Sequence, residues 1–175
     1  MQIVHRQRRV RILATCALIS LVAGCGGDSL APGLGSGHVT ATGSVTASGS
    51  GLAVFQSASS GGLTIFQLVL APVSQSANTW ELQIANTTGR PATGTYNLKP
   101  LSASATDPTA TFVYISGGNI QTFNSTSGQL VINSSSPTGV SGTFTFTATD
   151  ASGGAGTISA TGTFAAQCAP GMSCQ

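Results

Sequence analysis

From Val39 onward, apolar and polar residues alternate with a period of two, and this pattern restricts the fold more than any other feature. Successive side chains of a β-strand point to opposite faces, so the alternation predicts strands that are buried on one face. Trp80, Leu82 and Ile84 share one predicted face, and Glu81 and Gln83 share the other. No segment keeps a helical spacing of apolar residues over three turns, and we therefore predict an all-β domain.

Breaks rich in Gly, Pro, Asn and Ser separate the alternating runs. The runs predict strands near residues 39–48, 52–58, 63–71, 79–86, 94–98, 110–116, 119–125, 128–134, 140–149 and 156–166. Short strands at this spacing are typical of an antiparallel β-sandwich or a closed β-barrel, here of about 8–10 strands. The pattern does not distinguish between the two. Ser and Gly are abundant, but a hydrophobic content of 41% is enough for a core and argues against disorder.

Three local patterns refine this picture. Residues 63–70 and 112–115 carry apolar residues on both predicted faces, which predicts central strands. Residues 39–44 and 45–50 are near copies of each other; two copies are too few for a solenoid, and we interpret them as a pair of similar strands. Residues 152–156 are rich in glycine between two long runs, which predicts a hairpin loop.

The first 25 residues have a different character. Residues 1–11 hold four arginines, residues 12–23 are almost entirely apolar, and Val22, Ala23 and Gly24 precede Cys25. The apolar run is too short for a membrane span, which needs about 20 residues. The segment resembles the signal peptide and lipobox of bacterial lipoproteins. That resemblance implies a diacylglyceryl group on the Cys25 thiol, cleavage before Cys25 and a membrane anchor of several acyl chains.

The alternative interpretation is an ordinary secretory signal with a chance cysteine. Gly26 and Gly27 follow Cys25, and the absence of an aspartate directly after the cysteine favours the outer membrane if the organism is Gram-negative. Residues 26–37 are rich in glycine and predict a flexible tether. We thus expect a signal peptide at 1–24, the lipidated cysteine and tether at 25–37, and a single β-domain at 38–175, located in the cell envelope.

Charge is scarce after the signal peptide. Charged residues make up 6% of the chain, compared with about 25% in ordinary soluble domains. Only Arg90 and Lys99 remain against four acidic residues, so the mature chain has a net charge of −2. Because nothing forms a basic patch, the sequence argues against a nucleic-acid partner.

The four cysteines divide into two groups. Cys16 leaves with the signal peptide and Cys25 takes the lipid, whereas Cys168 and Cys174 remain near the C-terminus. In an oxidising compartment we expect a disulfide between Cys168 and Cys174 that restrains the C-terminus. A metal site is the alternative, but it lacks partners, because the one histidine after the signal peptide, His38, is assigned to the tether where the tether meets the β-domain. We therefore predict no metal.

Few side chains could carry catalysis. A Ser-His-Asp triad would have to use His38, and a glycosidase pair would have to combine Glu81 with Asp107 or Asp150, an arrangement that the sequence does not signal. The glycines of residues 152–156 lack the lysine and helix of a phosphate-binding loop. The sequence predicts a protein that is not an enzyme and has no cofactor.

Two binding surfaces can be considered. Trp80, Tyr96 and Tyr114 could form a platform on which sugar rings stack, although so few aromatic residues are more often part of a core. Thr-x-Thr pairs recur along the chain, as in Thr143-Phe144-Thr145. Flat threonine arrays occur in ice-binding proteins, but those need a regular coil period that is not visible here, and exposed strand faces are the ordinary explanation.

The body of the chain also carries recurrent motifs. They are Gly94-Thr95-Tyr96, Gly142-Thr143-Phe144 and Gly162-Thr163-Phe164. Over roughly residues 50–166 the sequence resembles uncharacterised β-rich envelope lipoproteins of bacteria, in which such strands recur. The resemblance implies a fold and a location but no activity.

The function predicted from the sequence is therefore limited. We expect a lipid-anchored protein of the cell envelope whose non-enzymatic β-domain has a structural or binding role. The alternative is a module that binds carbohydrate or another small ligand. The membrane is the one partner that the sequence indicates, through the lipid on Cys25, and it does not identify a protein or glycan partner.

Overall fold

The computed structural model describes residues 33–60, 62–74, 76, 78–101 and 106–175. The predicted signal peptide, Cys25 and residues 26–32 of the predicted tether lie outside the described residues. Nine strands form the regular structure of the described part: β1 (Gly35–Gly43), β2 (Ala47–Ser60), β3 (Leu63–Pro72), β4 (Asn78–Asn86), β5 (Gly94–Leu98), β6 (Thr109–Ser116), β7 (Asn119–Ser135), β8 (Gly139–Asp150) and β9 (Thr157–Cys168). Within those residues, no helix is long and apolar enough to cross a membrane.

The strands close into an antiparallel barrel of eight strands. Its neighbours run in the order β7, β6, β4, β3, β2, β1, β9 and β8, and β8 pairs back onto β7. The ninth strand, β5, pairs with the same edge of β7 as β6 does, but farther along it. Strand β6 pairs with residues 119–124 of β7, and β5 pairs with residues 128–132. The protein is thus all-β, as predicted, and of the two predicted architectures it adopts the closed barrel.

The barrel interior is filled by the apolar residues of the alternating pattern. The largest fully buried side chains are Phe55, Phe66, Phe112, Phe123, Leu68, Leu70, Leu82, Ile84, Leu98, Leu130, Ile158 and Val39. Glu81, between Trp80 and Leu82, is exposed as predicted. Period-two alternation therefore assigned the inner face of β4 correctly.

Two segments predicted as central strands are not buried on both faces. Leu63 and Ile65 are 57% and 45% exposed, whereas Phe66 beside them is buried. In the second segment, residues 112–115, only Phe112 is fully buried. The prediction was wrong because it assumed a second layer of structure. In a closed barrel the outer face of a strand has no such layer to cover it.

The division of the chain into strands differs from the prediction at two places. The run 39–48 is broken by a turn that begins at Gly43, whose φ of +122° favours glycine. The two near copies at 39–44 and 45–50 then pair with each other, with Val39 opposite Gly49 and Ala41 opposite Ala47, which confirms the predicted strand pair. The runs 119–125 and 128–134, predicted as two strands, are one continuous strand, β7.

A bulge in β7 places the Ser125 side chain where it binds both ends of the β5–β6 connection. The pairing of β7 with β8 shifts register between Ser125 and Ser127. The Ser125 side chain is 1% exposed; its hydroxyl donates to the Lys99 carbonyl oxygen at 2.8 Å and accepts from the Ala110 amide at 2.9 Å. One hydroxyl thus satisfies a backbone group at the end of β5 and another at the start of β6.

We expect Ser125→Ala to lower the free energy of unfolding by about 2 kcal/mol, because it leaves the buried Ala110 amide and the partly buried Lys99 carbonyl without their partner. Urea unfolding would measure the change, with Ser127→Ala as the control. Ser127 lies in the same bulge but is exposed, so its replacement should change stability by less than about 0.5 kcal/mol. Equal effects of the two substitutions would contradict the proposed role of the Ser125 hydroxyl.

The recurrent glycine-aromatic motifs interlock across two strands. In the β8–β9 pair, Gly142 lies opposite Phe164 and Phe144 lies opposite Gly162, with Thr143 opposite Thr163 between them. Each phenylalanine ring therefore covers the glycine of the partner strand. The close contact leaves no room for a Cβ atom at either glycine, and this explains why the two motifs combine a glycine with an aromatic residue.

Candidate functional site

The two ends of the barrel fix where each predicted residue lies. We call the end at which β1 begins the proximal end; the β2–β3, β4–β5, β5–β6 and β7–β8 connections and the segment after β9 also lie there. The distal end carries the β1–β2, β3–β4, β6–β7 and β8–β9 connections. Any chain that precedes Gly33 therefore joins the barrel at its proximal end.

The outer surface of one side of the barrel is formed almost entirely by hydroxyl side chains. We call it the hydroxyl face; it consists of Thr40, Thr42, Ser48, Ser50, Thr143, Thr145, Thr147, Thr149, Thr157, Ser159, Thr161 and Thr163. Cross-strand pairing aligns them in rows, one of which contains Thr145, Thr161, Thr40 and Ser48. The outward positions of β1, β8 and β9 include no Asp, Glu, Lys or Arg.

The rows give the hydroxyl face a regular spacing. Neighbouring strands lie about 4.8 Å apart, and alternate residues along a strand about 6.8 Å apart. The sequence revealed the individual Thr-x-Thr pairs, but it could not reveal the face, because the alignment depends on the register between strands that are distant in sequence. A surface of this kind offers many weak donors and acceptors to a neutral, polar partner.

A shallow hollow of about 310 Å³ lies at the edge of the hydroxyl face. It is lined by Ser36, Gly37, His38, Ser50, Thr163, Phe164 and Ala165. The His38 ring lies within hydrogen-bonding distance of two hydroxyls, with Nδ1 at 3.3 Å from Ser50 Oγ and Nε2 at 3.4 Å from Thr40 Oγ1. The prediction that His38 belongs to the tether is wrong: strand β1 begins three residues earlier, at Gly35, and holds His38 between β2 and β9.

The structure does not bring the three candidate carboxylates together. Glu81 is exposed on the outer face of β4. Asp107 lies at the proximal end, where a carboxylate oxygen is 2.8 Å from the Lys99 ammonium nitrogen. Asp150 ends β8 at the distal end. A glycosidase needs two carboxyl groups within about 10 Å on either side of a bond, and Asp107 and Asp150 occupy opposite ends of the barrel.

Asp150 has a structural role in the β8–β9 hairpin. One carboxylate oxygen accepts hydrogen bonds from the Ser152 hydroxyl at 2.7 Å and from the Ser152 amide at 2.8 Å. These two hydrogen bonds, the one from the hydroxyl first, lower the pKa of Asp150 below its ordinary 3.8. The carboxylate thus fixes the turn that the glycines of residues 152–156 were predicted to form.

The lowered pKa predicts a pH dependence. A group with a lower pKa in the folded state stabilises the fold fully above its unfolded pKa, here 3.8, and loses that contribution as the pH falls through the folded value. We expect the Asp150 carboxyl carbon to titrate with a midpoint below 3.8 by NMR. The stability advantage over Asp150→Asn, the matched variant that cannot ionise, should shrink over the same range. A midpoint at or above 3.8 would contradict the hydrogen-bonding pattern.

The predicted aromatic platform is not assembled as an exposed surface. Trp80 is 7% exposed and packs against Phe112 in the core, with ring centroids 6.4 Å apart. Tyr114 is the cross-strand neighbour of Trp80 and is half-buried. Tyr96 lies on β5, where its hydroxyl donates to the Ala92 carbonyl oxygen at 2.9 Å. A sugar ring cannot stack on a buried indole, so these residues belong to the packing of the barrel.

The predicted disulfide between Cys168 and Cys174 is present. The segment that it closes pairs with the edge of β2 at the point where β1 begins: the Ala169 amide donates to the Phe55 carbonyl oxygen, and the Ser57 amide to the Ser173 carbonyl oxygen. Cys174 is buried in the core. The sequence predicted a restraint on the C-terminus; the structure adds that the disulfide loop covers an edge of β2 that β1 leaves open.

Comparison with known proteins adds a family but no activity. Residues 58–166, more than half of the chain, match a family described as "Domain of unknown function (DUF6252)". The matched stretch runs from β2 to β9 and leaves β1 and the disulfide loop outside it. No curated protein and no solved structure matches the chain.

Proposed function

The chain belongs to the DUF6252 family of domains of unknown function, which leaves its role open, and we propose from the sequence and the barrel that it is a lipid-anchored protein of the cell envelope with a non-enzymatic barrel. The barrel has a structural or binding role and is held on the membrane through lipid on Cys25. If the organism is Gram-negative, that membrane is the outer membrane.

The main support for the proposed lipid anchor is the order of residues that precede the barrel. A basic segment, an apolar segment of about a dozen residues and a small-residue site end at Cys25, and the first strand begins ten residues later. The scarcity of acidic side chains supports a role without catalysis, since Glu81, Asp107 and Asp150 lie at separate places on the barrel. The hydroxyl face supports contact with a neutral, polar partner.

The anchor is tested by Cys25→Ser, with Cys16→Ser as the matched control in the same segment. We expect the full chain and Cys16→Ser to incorporate radiolabelled palmitate and to be cut before residue 25, as intact mass would show. Cys25→Ser should incorporate no label and keep its signal peptide. Membrane fractionation alone is insufficient, because an uncut apolar segment also sediments. Equal labelling of Cys25→Ser and the parent protein would refute the proposal.

The hollow beside His38 favours a second candidate function, the binding of neutral carbohydrate. Its lining combines three hydroxyls and an imidazole with Gly37, Phe164 and Ala165, and sugars are bound through such uncharged donors and acceptors. A panel of soluble neutral glycans should then bind the parent protein and lose binding in His38→Ala and Thr163→Val. Thr95→Val, an exposed threonine on β5, is the control that should bind normally. Unchanged binding in all variants would exclude the hollow as the site.

A further inference from the structure

The exposed apolar side chains are concentrated at one end of the barrel. Within the described residues, the large apolar side chains exposed to solvent are Leu63, Ile65, Val73, Leu101, Ile120 and Met172. Four of the six lie at the proximal end: two at the start of β3, one in the β5–β6 connection and one in the disulfide loop. Scattered apolar side chains are ordinary on a protein surface, but concentration at one end requires an explanation.

Strand pairing places three of these side chains on neighbouring segments, with β2 between the disulfide loop and β3. Cys174, two residues after Met172, forms a bridge with Ser57 of β2, and the next residue of β2, Ala58, lies opposite Ile65 of β3. The disulfide loop, β2 and β3 are therefore adjacent at this end, and neighbouring strands lie about 4.8 Å apart. Leu63, two residues before Ile65, points to the same outer side of β3 and extends this apolar group toward the tip of the hairpin.

The chain that carries the predicted lipid enters the barrel at the same, proximal end. Cys25 precedes the start of β1 at Gly35 by ten residues, and a chain of that length spans at most about 35 Å. Since β1 starts at the proximal end, lipid on Cys25 would hold that end nearest the bilayer. The distal end lies a further strand length away from the point of attachment.

The positively charged side chains lie at the same end of the barrel as the exposed apolar side chains. Arg90 and Lys99, the two cations that follow Cys25, both lie in or beside connections of the proximal end. Lys99 pairs with Asp107, whereas Arg90 donates to the Ser135 hydroxyl at 2.8 Å and forms no ion pair with a described carboxylate. Asp150 lies at the opposite end. Among the described residues, the proximal end thus holds two cations and one carboxylate, whereas the distal end holds a carboxylate, so the proximal end suits anionic lipid headgroups better.

We propose that the proximal end of the barrel rests on the lipid bilayer, with Leu63, Ile65 and Met172 inserted among the headgroups. This inference rests on the proposed lipid anchor and adds an orientation to it. The barrel stands end-on, so that the hydroxyl face rises from the membrane and the distal hairpins face away. Apolar side chains that meet the acyl boundary, together with an attached lipid, give the two attachments that stable membrane binding requires.

The test measures the depth of single tryptophans in the full-length, lipidated protein. Ile65→Trp and Met172→Trp place the probe at the proximal end, and Ile120→Trp places it at the distal end, where the native side chain is 68% exposed. Each variant is reconstituted in vesicles of phosphatidylglycerol and brominated phosphatidylcholine, and bromine quenches indoles that reach the acyl boundary. The emission of Trp80, the one native tryptophan, is subtracted by means of the parent protein.

We expect the added emission of Ile65→Trp and Met172→Trp to be blue-shifted and quenched, and that of Ile120→Trp to be neither. Flotation of the same vesicles separates two failures. Protein that does not float lacks the anchor, which overturns both the proposed function and the docking. Protein that floats but shows equal quenching at the three positions, or none at 65 and 172, keeps the anchor and overturns the docking; this is the outcome if another protein covers the apolar group.

Discussion

Gly162→Ala is expected to lower the free energy of unfolding by about 3 kcal/mol, at the upper end for an overpacked site. A Cβ atom at residue 162 would fall well inside contact distance of the His38 carbonyl oxygen and of the Phe144 ring. The ring could turn aside, but the carbonyl belongs to the β1–β9 ladder and cannot move without breaking it. Gly142→Ala should behave alike, since its Cβ would meet the Val131 carbonyl oxygen of β7.

The matched control is Gly139→Ala at the start of the same strand as Gly142. The nearest atom to a Cβ at residue 139 is 3.6 Å away, and the backbone there has no positive φ. This variant should be neutral or slightly more stable than the parent, because alanine restricts the unfolded chain. Thermal and urea unfolding of the three variants would separate the predictions. If Gly162→Ala and Gly142→Ala were as stable as Gly139→Ala, the close approach of β1 to Gly162 and of β7 to Gly142 would be contradicted.

These glycines illustrate where sequence reasoning succeeds and where it ends. Alternation is a local property, so the inward face of residues 80–84 and the β8–β9 hairpin could be predicted without knowledge of the rest of the barrel. The pairing of Gly142 with Phe164 depends on the register between strands and the closure of β8 on β7, both set by contacts remote in sequence. The glycine-aromatic motif was visible in the sequence, but the cross-strand pairing that explains it was not.

The candidate site also contains features that the sequence predicts and features that depend on the folded barrel. The disulfide between Cys168 and Cys174 was predictable from the predicted export, because two cysteines six residues apart have few other uses in an oxidising compartment. His38 was misplaced, since glycines at 35 and 37 are typical of a linker when their neighbours are unknown, yet β1 uses them where other strands approach closely. Of the hydroxyl face, the sequence revealed only the separate Thr-x-Thr pairs, because the face is assembled from four strands and no single strand contains more than part of it.

Phe112→Ala is expected to lower the free energy of unfolding by about 4 kcal/mol, in the middle of the range for a fully buried phenylalanine. Phe112 is fully buried on β6, lies opposite Leu82 of β4 and Phe123 of β7, and packs against Trp80. Truncation removes the ring from a site lined by neighbouring strands of a closed sheet, which cannot collapse far without breaking ladder hydrogen bonds. For a domain of this size, the midpoint of thermal unfolding should fall by roughly 10 °C.

Val113→Ala is the control, because Val113 follows on the same strand but points outward and is only half-buried; its replacement should cost less than about 1 kcal/mol. Trp80 adds a local readout, since it is the only tryptophan and stacks on Phe112. Its emission should shift to the red in folded Phe112→Ala and stay unchanged in Val113→Ala. If the two variants unfold at the same urea concentration and share one spectrum, Trp80 and Phe112 do not pack together inside the barrel, and the assignment of residues 80 and 112 to a common interior fails.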